Sequence, residues 1–207
     1  MSENDEDSIT EPYDQKIKIM FIGEPLVGKT AIITRYTKKI FVENYLSTIG
    51  IDFQNKFLSI NDKKINVEIW DTAGQEKFRN IAKNYFQSSD GFVLVYDITN
   101  KDSFDRLNDW YDQIKTNAPE HSKCIIAGNK SDLEDKRKVK KEEGEKFAND
   151  KKLKFYETSA KDDTNIDIVF ELLSKEIIND EKGLKKNIRS SQVLKKKNTK
   201  VEKKNCC

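Results

Sequence analysis

Residues 23–30 read Gly23-Glu24-Pro25-Leu26-Val27-Gly28-Lys29-Thr30 and decide the fold. They follow an apolar segment typical of a strand and open a segment typical of a helix, which is the setting that the phosphate-binding pattern GxxxxGK[ST] requires. In such a loop, backbone amides and the helix N-terminus supply partial positive charge to phosphates, Lys29 adds a full charge, and Thr30 offers a hydroxyl to Mg²⁺. The predicted phosphate-binding residues are Gly23, Leu26, Val27, Gly28, Lys29, Thr30 and Ala31. The alternative is a tight strand-to-helix turn with no ligand.

On both sides of this loop, short apolar runs alternate with helical patterns from Lys16 to Asp180. This alternation favours an α/β domain whose mostly parallel sheet has helices on both faces. Only the connection at residues 61–63 is too short for a crossover helix, so we expect the second and third strands to form an antiparallel hairpin. The predicted strands are 16–22, 52–60, 65–71, 91–97, 123–128 and 154–158. The predicted fold class is therefore α/β, a three-layer P-loop domain with a mixed six-stranded sheet.

Two apolar stripes with helical spacing predict helices that face the core. The stripe of the last helix consists of Ile166, Val169, Phe170, Leu173 and Ile177. The stripe of an earlier helix consists of Phe104, Leu107, Tyr111 and Ile114. At the start of the last helix, Thr164 and Asp167 have the spacing of a capping box.

The choice between guanine and adenine depends on Asn129-Lys130-Ser131-Asp132, directly after a predicted strand. Guanine presents N1–H and an N2 amine, and the Asp132 carboxylate can accept from both, whereas adenine lacks this amine and its N1 is an acceptor. The wrong base would leave a buried carboxylate unpaired, which is how polar sites reject analogues. Lys130 can lay its methylene stem along the base and ribose. Alone the tetrapeptide is typical of a turn, but with the phosphate loop upstream it predicts guanine contacts from Asn129, Lys130 and Asp132.

Catalytic residues are indicated at the end of another strand, where the chain reads Trp70-Asp71-Thr72-Ala73-Gly74-Gln75-Glu76. A carboxylate such as Asp71 can hold Mg²⁺ through water, Gly74 can turn its amide toward a γ-phosphate, and Gln75 can orient the attacking water. Phosphoryl transfer needs little else, because positioning and charge neutralisation dominate it. We therefore predict that Gln75 is the catalytic residue.

Charge is distributed unevenly along the chain, whose formal net charge is +2. Residues 1–14 carry six acidic side chains and no basic one, whereas residues 182–207 carry ten Lys or Arg and one Glu, so that residues 15–181 are close to neutral at −1. Because both arms lack the apolar residues needed to fold, we expect a disordered acidic arm, one domain and a disordered basic tail. There is no run of about 18 apolar residues and no secretory signal, so we expect a cytosolic protein.

The three motifs in this order, together with Glu157-Thr158-Ser159-Ala160-Lys161, resemble those of the Ras-like small GTPases over about residues 15–180. Within that family, the segments that resemble the Rab branch are residues 47–53, 66–70, 75–79 and 94–99. The resemblance implies a G domain that binds GTP or GDP with Mg²⁺, hydrolyses GTP slowly and recruits effectors in vesicle and membrane trafficking.

The same resemblance implies two switch regions, residues 39–53 and 72–88. Thr48 would ligate Mg²⁺ only when a γ-phosphate is present, beside the metal ligands Thr30 and Asp71. Thr48 and Gly74 would then hold both switches in place until GTP is hydrolysed.

The base pocket and the effector surface are also implied by the resemblance. Phe41 would stack on the guanine, and Ser159, Ala160 and Lys161 would line the pocket, Ala160 through its backbone amide. The implied effector surface consists of Ile49, Gly50, Ile51, Asp52, Phe53, Trp70 and Phe78. For the apolar members of this set the alternative is an ordinary place in the core.

Pro25 departs from the family pattern, which has glycine here in Ras proteins and often serine in Rab proteins. Proline removes an N–H and places a rigid ring near the γ-phosphate, so we hypothesise that it alters intrinsic or activator-stimulated hydrolysis. The alternative function is a GTP-bound scaffold that hydrolyses slowly or not at all. No arginine of the domain can be assigned as a finger, so we expect a GTPase-activating protein to supply that charge in trans.

The chain ends in Cys206 and Cys207 behind a basic segment, and Lys204 at the fourth position from the end excludes a CaaX box. This ending resembles the Rab-type site of double geranylgeranylation, which with nearby lysines gives stable attachment to anionic membranes. Unmodified thiols are the alternative.

The implied partners are effectors, an exchange factor, a GTPase-activating protein, a GDP-dissociation inhibitor, the prenylation machinery and a membrane surface. The implied location is the cytoplasmic face of an intracellular or plasma membrane, with cycling through the cytosol. Because the near-neutral domain offers no basic face, no nucleic-acid partner is expected.

Overall fold

The structure, a computed structural model, describes residues 12–43, 51–72 and 85–180. The strands are β1 (Gln15–Ile22), β2 (Ile51–Ile60), β3 (Lys63–Thr72), β4 (Gly91–Asp97), β5 (Lys123–Asn129) and β6 (Lys154–Thr158). The helices are α1 (Lys29–Lys38), α2 (Lys101–Asp105), α3 (Leu107–Asn117), α4 (Lys141–Lys151) and α5 (Ile166–Asn179), with a short 3₁₀ helix at Glu134–Lys136. The six predicted strands are confirmed, with bounds that differ by at most two residues.

The six strands form one sheet in the order β2-β3-β1-β4-β5-β6, and β2–β3 is the antiparallel pair among the described strands. The turn between β2 and β3 holds Asn61 and Asp62 at φ 52° and 59°. Two consecutive residues with positive φ are typical of the type I′ turn, whose twist matches that of the flanking strands. The predicted mixed sheet with one hairpin is therefore confirmed.

The sheet separates two apolar layers, because alternate side chains of a strand point to opposite faces. On one face Ile19 and Phe21 of β1 pack with residues of α1 and α5. On the other face Met20 and Ile22 of the same strand pack with residues of α3 and α4. Every residue of β4 is buried, as expected of a central strand covered on both sides. The three-layer architecture is confirmed.

The predicted helix through Phe104 and Ile114 is two helices that meet at Arg106. The backbone N–H of Arg106 is shared between the carbonyls of Asp102 and Phe104, a bifurcated bond of the kind found at helix ends. Helix α2 is a single turn, capped by Asn100, whose side chain accepts from two amides of that turn. The predicted apolar stripe is confirmed, because Phe104, Leu107, Tyr111 and Ile114 pack in one cluster, but two helices share it where one was expected.

The predicted capping box at Thr164 is also wrong. The backbone of Thr164 exchanges two hydrogen bonds with Ser159, at 3.0 and 3.1 Å, so the N-cap of α5 is Asn165. Asn165 has φ 56°, and its side chain donates to the carbonyl of Glu157 at 2.7 Å instead of capping the helix. A tertiary contact has displaced the local motif.

The described chain begins and ends at the same side of the sheet. The Asp14 carboxylate accepts from the Lys64 N–H at 2.8 Å, and the Asn61 side chain donates to that of Asn179 at 3.1 Å. Asp180, after α5, pairs with Lys123 at the start of β5. Both chain ends therefore leave at the amino ends of the parallel strands.

Candidate nucleotide-binding site

The loop between β1 and α1 depends on two glycines. Gly23 has φ 141° and Gly28 has φ 95°, both in the region that favours glycine. A Cβ on Gly23 would lie 2.2 Å from the Val95 carbonyl oxygen, and one on Gly28 would lie 2.3 Å from the Asn129 side-chain nitrogen. The loop is thus packed directly against the carboxyl ends of β4 and β5.

Lys29 places its ammonium group inside this loop. The Nζ atom donates to the carbonyls of Gly23 and Glu24, each at 2.9 Å, and the residue is 5% exposed. Burial lowers the pKa of Lys29 to about 8, against the opposing effect of the carboxylates of Asp71 and Glu24. A buried cation ringed by backbone dipoles is suited to a phosphate group.

Thr30 and Asp71 form the part of the site that fits a divalent cation. The Thr30 hydroxyl donates to the Asp71 carboxylate, which is buried at the end of β3. The end of β3 is fixed by Thr72, whose hydroxyl donates to the Phe21 carbonyl at 2.7 Å. Hydroxyl and carboxylate oxygens are the ligands that Mg²⁺ prefers, so these residues fit that ion.

The middle of the loop is fastened to α3 by a contact that the sequence did not indicate. The indole N–H of Trp110 donates to the Glu24 carboxylate at 2.9 Å. Beside it, exposed Pro25 lines a cleft of about 480 Å³ with residues of the β4–α2 connection and of α2. Leu26 follows at φ 64° and is 72% exposed. The prediction could not include Trp110, because its helical spacing is that of a core residue.

Asn129 joins the phosphate loop to the segments expected to bind the base. Its side-chain nitrogen donates to the Val27 carbonyl at 2.9 Å, and its oxygen accepts from the Thr158 hydroxyl at 3.3 Å. The residue is 2% exposed. It therefore fixes the relative positions of the loop, β5 and β6.

Asp132 is oriented by the next segment of the chain. Its Oδ1 atom accepts from the Ser159 hydroxyl at 2.7 Å, and Ser159 Oγ accepts in turn from the Asp162 N–H at 3.0 Å. The Ser131 N–H also donates to the Thr158 carbonyl at 3.0 Å. A carboxylate held in this way presents a fixed pair of acceptors, the feature that a guanine edge requires.

Lys130 is held at the edge of the site by Asp97, at the end of β4. The two side chains form an ion pair at 2.6 Å, and Asp97 also accepts from the amide and hydroxyl of Thr99 at 2.8 and 2.7 Å. Lys130 has φ 68°. Asp97 was not among the predicted site residues, although its place at the carboxyl end of a strand was a usable signal.

Arg137 holds the loop that follows Asp132 in place through several hydrogen bonds. Its guanidinium donates to both oxygens of Glu157 at 2.6 and 3.0 Å, to both of Glu134 at 2.8 and 2.7 Å, and to the Val139 carbonyl at 2.9 Å. The hydrogen bonds that it donates to Glu157, and then those to Glu134, raise the pKa of Arg137. Since Glu157 directly precedes Thr158 and Ser159, this network ties together the two loops of the base site.

Three aromatic rings form a continuous surface on β2, β3 and the segment before β4. Phe53 stacks on Trp70 at 5.2 Å between ring centroids, and Trp70 contacts Tyr85 at 4.7 Å. Lys18 Nζ lies 4.5 Å from the Trp70 ring, and the indole N–H donates to Glu68 at 2.6 Å. Phe53 is 47% exposed. Tyr85 was missing from the predicted effector surface.

The structure brings together the predicted residues of the phosphate loop, Asp71, residues 129–132 and residues 159–161. Phe41 is half-buried against the core, and Ile51 is described only as a backbone position in β2. The predicted residues that lie outside the described ranges are Thr48, Ile49, Gly50, Gly74, Gln75, Phe78, Cys206 and Cys207.

Known proteins resemble this chain over most of its length. The model of the Ras family matches residues 18–179. Ras-related protein Rab-8B of Pongo abelii is 45% identical over 166 residues, 80% of each chain. Rab-3C of Mus musculus is 44% identical over 167 residues (81% of this chain, 74% of the relative), and Rab-13 of Canis lupus familiaris is 43% identical over 166 (80% and 82%). The chain is a Rab-type member of the Ras family.

This Rab-type small GTPase is therefore a GTP hydrolase that acts in membrane trafficking. Its family binds GTP and GDP, generally with Mg²⁺. The Rab relatives do not favour the alternative of a scaffold without hydrolysis. Across the described ranges, none of the helices is both long enough and apolar enough to cross a bilayer.

Proposed function

We propose that this Rab-type GTPase binds GDP and GTP at the site described above and switches between two states as GTP is hydrolysed. One observation carries the proposal: the buried ammonium of Lys29 lies in a loop that Asn129 ties to the guanine motif. The residues that bind the phosphates and those that bind the edge of the base would thus be joined by direct hydrogen bonds.

At the phosphate end of the site (residues 23–30), the loop amides and Lys29 would neutralise the phosphates. Thr30 and Asp71 would hold Mg²⁺, with Thr48 added when GTP is bound. The ion would supply charge neutralisation to the β- and γ-phosphates.

At the base end of the site (residues 129–132 and 159–161), Asp132 would accept from the guanine N1–H and N2 amine. Lys130, held by Asp97, would lie along the base and ribose, and Phe41 would cover the ring from the other side. Ser159 supports this role of Asp132 through its 2.7 Å hydrogen bond.

For hydrolysis, Gln75 would orient the attacking water while Gly74 and Thr48 contact the γ-phosphate. The described arginines have other partners: Arg35 donates to backbone carbonyls, Arg106 pairs with Asp109, and Arg137 pairs with two glutamates. A GTPase-activating protein would therefore supply the missing charge, and unaided turnover would be on the order of 10⁻⁴ to 10⁻³ s⁻¹.

The remaining parts of the chain would connect the switch to its partners. The surface of Phe53, Trp70 and Tyr85, with residues 49–52 and Phe78, would contact effectors in the GTP state. The domain of residues 15–181 would lie between an acidic arm (1–14) and a basic tail (182–207). Lipids on Cys206 and Cys207 would hold the tail at the cytoplasmic face of a membrane. Regulators would be an exchange factor, an activating protein and a GDP-dissociation inhibitor.

The test is chromatography of the nucleotide released from the purified chain, followed by a single-turnover GTP assay. We expect GDP or GTP in near-stoichiometric amount and slow conversion of GTP to GDP. Lys29→Ala should lose the nucleotide, while Lys38→Ala, an exposed lysine on the same helix, should retain it. A parent chain that takes up neither nucleotide with Mg²⁺ present would contradict the proposal.

A further inference from the structure

Arg35, on the last turn of α1, contacts two segments that are far apart in sequence. Its Nε atom donates to the Ala160 carbonyl at 2.7 Å and its Nη2 atom to the Lys161 carbonyl at 2.8 Å. Its Nη1 atom donates to the Lys39 carbonyl at 3.2 Å, just after the helix ends. One guanidinium group thus bridges the loop of residues 159–161 and the start of switch I.

The same guanidinium lies near Phe41, with its central carbon 6.0 Å from the ring centroid. In the proposed function Phe41 covers one face of the guanine and forms one wall of its pocket, and Ala160 and Lys161 line a second wall. Arg35 is therefore placed to fix both walls relative to each other without touching the nucleotide.

The two carbonyl contacts determine how the loop presents its amides. A trans peptide unit is planar, and its C=O and N–H point in opposite directions. Holding the carbonyls of two successive residues toward Arg35 fixes the planes of both peptide units. The N–H groups of the same two units, those of Lys161 and Asp162, then have a defined direction, and the Asp162 N–H donates to the Ser159 hydroxyl that holds Asp132.

A second, weaker link runs parallel to the first. Lys39 Nζ lies 2.9 and 2.8 Å from the two carboxylate oxygens of Asp167 and 3.6 Å from that of Asp163. The hydrogen bond to Asp167 raises the pKa of Lys39. Because these side chains are about half exposed, solvent screens the pair, and we assign the main effect to Arg35.

We propose that Arg35 is a positioning residue that couples the start of switch I to the base pocket and so sets how long a guanine nucleotide stays bound. The inference rests on the proposed function, since it needs a nucleotide in the site. The inference also suggests how an exchange partner would act. A protein that displaces residues 39–41 would shift Arg35 and break its hydrogen bonds to the carbonyls of Ala160 and Lys161, so that the loop at the base would no longer be held in place.

A simpler role for the Arg35 side chain is to cap the end of α1, where its Nη1 atom donates to the Lys39 carbonyl at 3.2 Å. That role affects stability alone. The coupling role predicts that a variant without the Arg35 side chain releases nucleotide faster but responds to Mg²⁺ removal as the parent does. The two roles can therefore be separated by experiment.

The experiment measures release of a fluorescent GDP, N-methylanthraniloyl-GDP, from the full chain in excess unlabelled GDP. We expect Arg35→Ala to release it about ten-fold faster than the parent, because hydrogen bonds from a charged donor to the base loop are lost. Arg35→Lys, which keeps the charge but cannot bridge both carbonyls, should be about three-fold faster. Lys38→Ala, a basic neighbour for which the described part of the chain contains no ion pair, should match the parent.

The readouts distinguish the possible failures. Removing Mg²⁺ with EDTA should speed release in all variants and leave the ratio of Arg35→Ala to parent unchanged, because Arg35 acts at the base end. If Arg35→Ala releases the probe at the parent rate and has a lowered melting temperature, the coupling role is overturned and helix capping is the role of the side chain. If Arg35→Ala does not fold, parent-like release by Arg35→Lys would overturn it. Failure of the parent to bind the probe would instead overturn the proposed function.

Discussion

The phosphate end and the base end of the site are built in different ways. The phosphate end is one continuous stretch whose shape depends on backbone angles at Gly23 and Gly28 and on a buried lysine. The base end is assembled from separate segments by side-chain contacts, such as that of Asn129 with Val27, 102 residues apart, and that of Arg35 with Ala160, 125 residues apart. The first has no room for a side chain at either glycine, whereas the second can be loosened one contact at a time.

If the base end depends on individual side chains, changing one acceptor should change the ligand. We expect Asp132→Asn to weaken GDP binding about a thousand-fold, because an amide cannot accept from both guanine donors. Binding of xanthosine diphosphate should improve, since its carbonyl at position 2 can accept from the new amide. Isothermal titration with both nucleotides measures this.

The matched control is Asp135→Asn, an exposed residue of the short 3₁₀ helix. It should bind GDP like the parent. Equal GDP affinity for parent and Asp132→Asn would show that the base end does not work through this carboxylate.

If the phosphate end depends on backbone geometry, a single methyl group should disrupt it. Gly23→Ala places a Cβ against the Val95 carbonyl and holds a non-glycine residue at φ 141°. We expect the free energy of unfolding to fall by about 3 kcal/mol, measured by urea denaturation in excess GDP. Leu26→Ala, in the same loop but exposed, should change it by less than about 0.5 kcal/mol. If both variants lose a similarly small free energy of unfolding, the phosphate end does not depend on the backbone geometry at Gly23.

The charge inside the phosphate end should make binding sensitive to pH. The pKa of Lys29 is about 8, below the usual 10.5, and a bound phosphate would raise it by favouring the ammonium form. Binding then takes up a proton above pH 8, so affinity is constant below that pH and falls as pH rises through it. We expect GDP affinity about four-fold weaker at pH 8.5 than at pH 7. Lys29→Met should bind GDP weakly at both pH values, with no loss of affinity between them. A parent chain whose GDP affinity is the same at both pH values would refute the assignment of this pH dependence to Lys29.

Pro25 should have the smallest effect, because it is an exposed residue of the phosphate end and packs against neither β4 nor β5. We expect Pro25→Gly to raise activator-stimulated GTP turnover about three-fold, since it removes the ring from the approach to the γ-phosphate and restores an N–H. Pro25→Ser should restore only the N–H and give a smaller rise. Single-turnover assays with and without an activator measure this, and parent rates in both conditions would end the hypothesis.

The same contrast explains what the sequence could predict. The glycines, Lys29 and Thr30 could be predicted as phosphate-binding residues because their spacing along one stretch is itself the requirement for binding phosphate. The contacts of Arg35 and Tyr85 could not be predicted, because their partners are backbone carbonyls or rings distant in sequence, and such partners leave no pattern.

Helix boundaries failed for a related reason. The start of α5 coincides with the bridge between Ser159 and Thr164, and the break at Arg106 lies where its N–H is shared between the carbonyls of Asp102 and Phe104. Long apolar strands such as β4 were predicted correctly, because burial on both faces requires continuous hydrophobicity.

The arrangement of the chain ends has a practical consequence. Asp14 and Asp180 both lie at the amino ends of the parallel strands, while the phosphate loop and residues 129–132 follow their carboxyl ends. Helix α5, 14 residues long, spans about 21 Å between these two sides. A fluorescent label or affinity handle attached at residue 14 or at residue 180 would therefore lie on the side of the sheet opposite the candidate nucleotide site, which leaves that site open in single-molecule or biosensor formats.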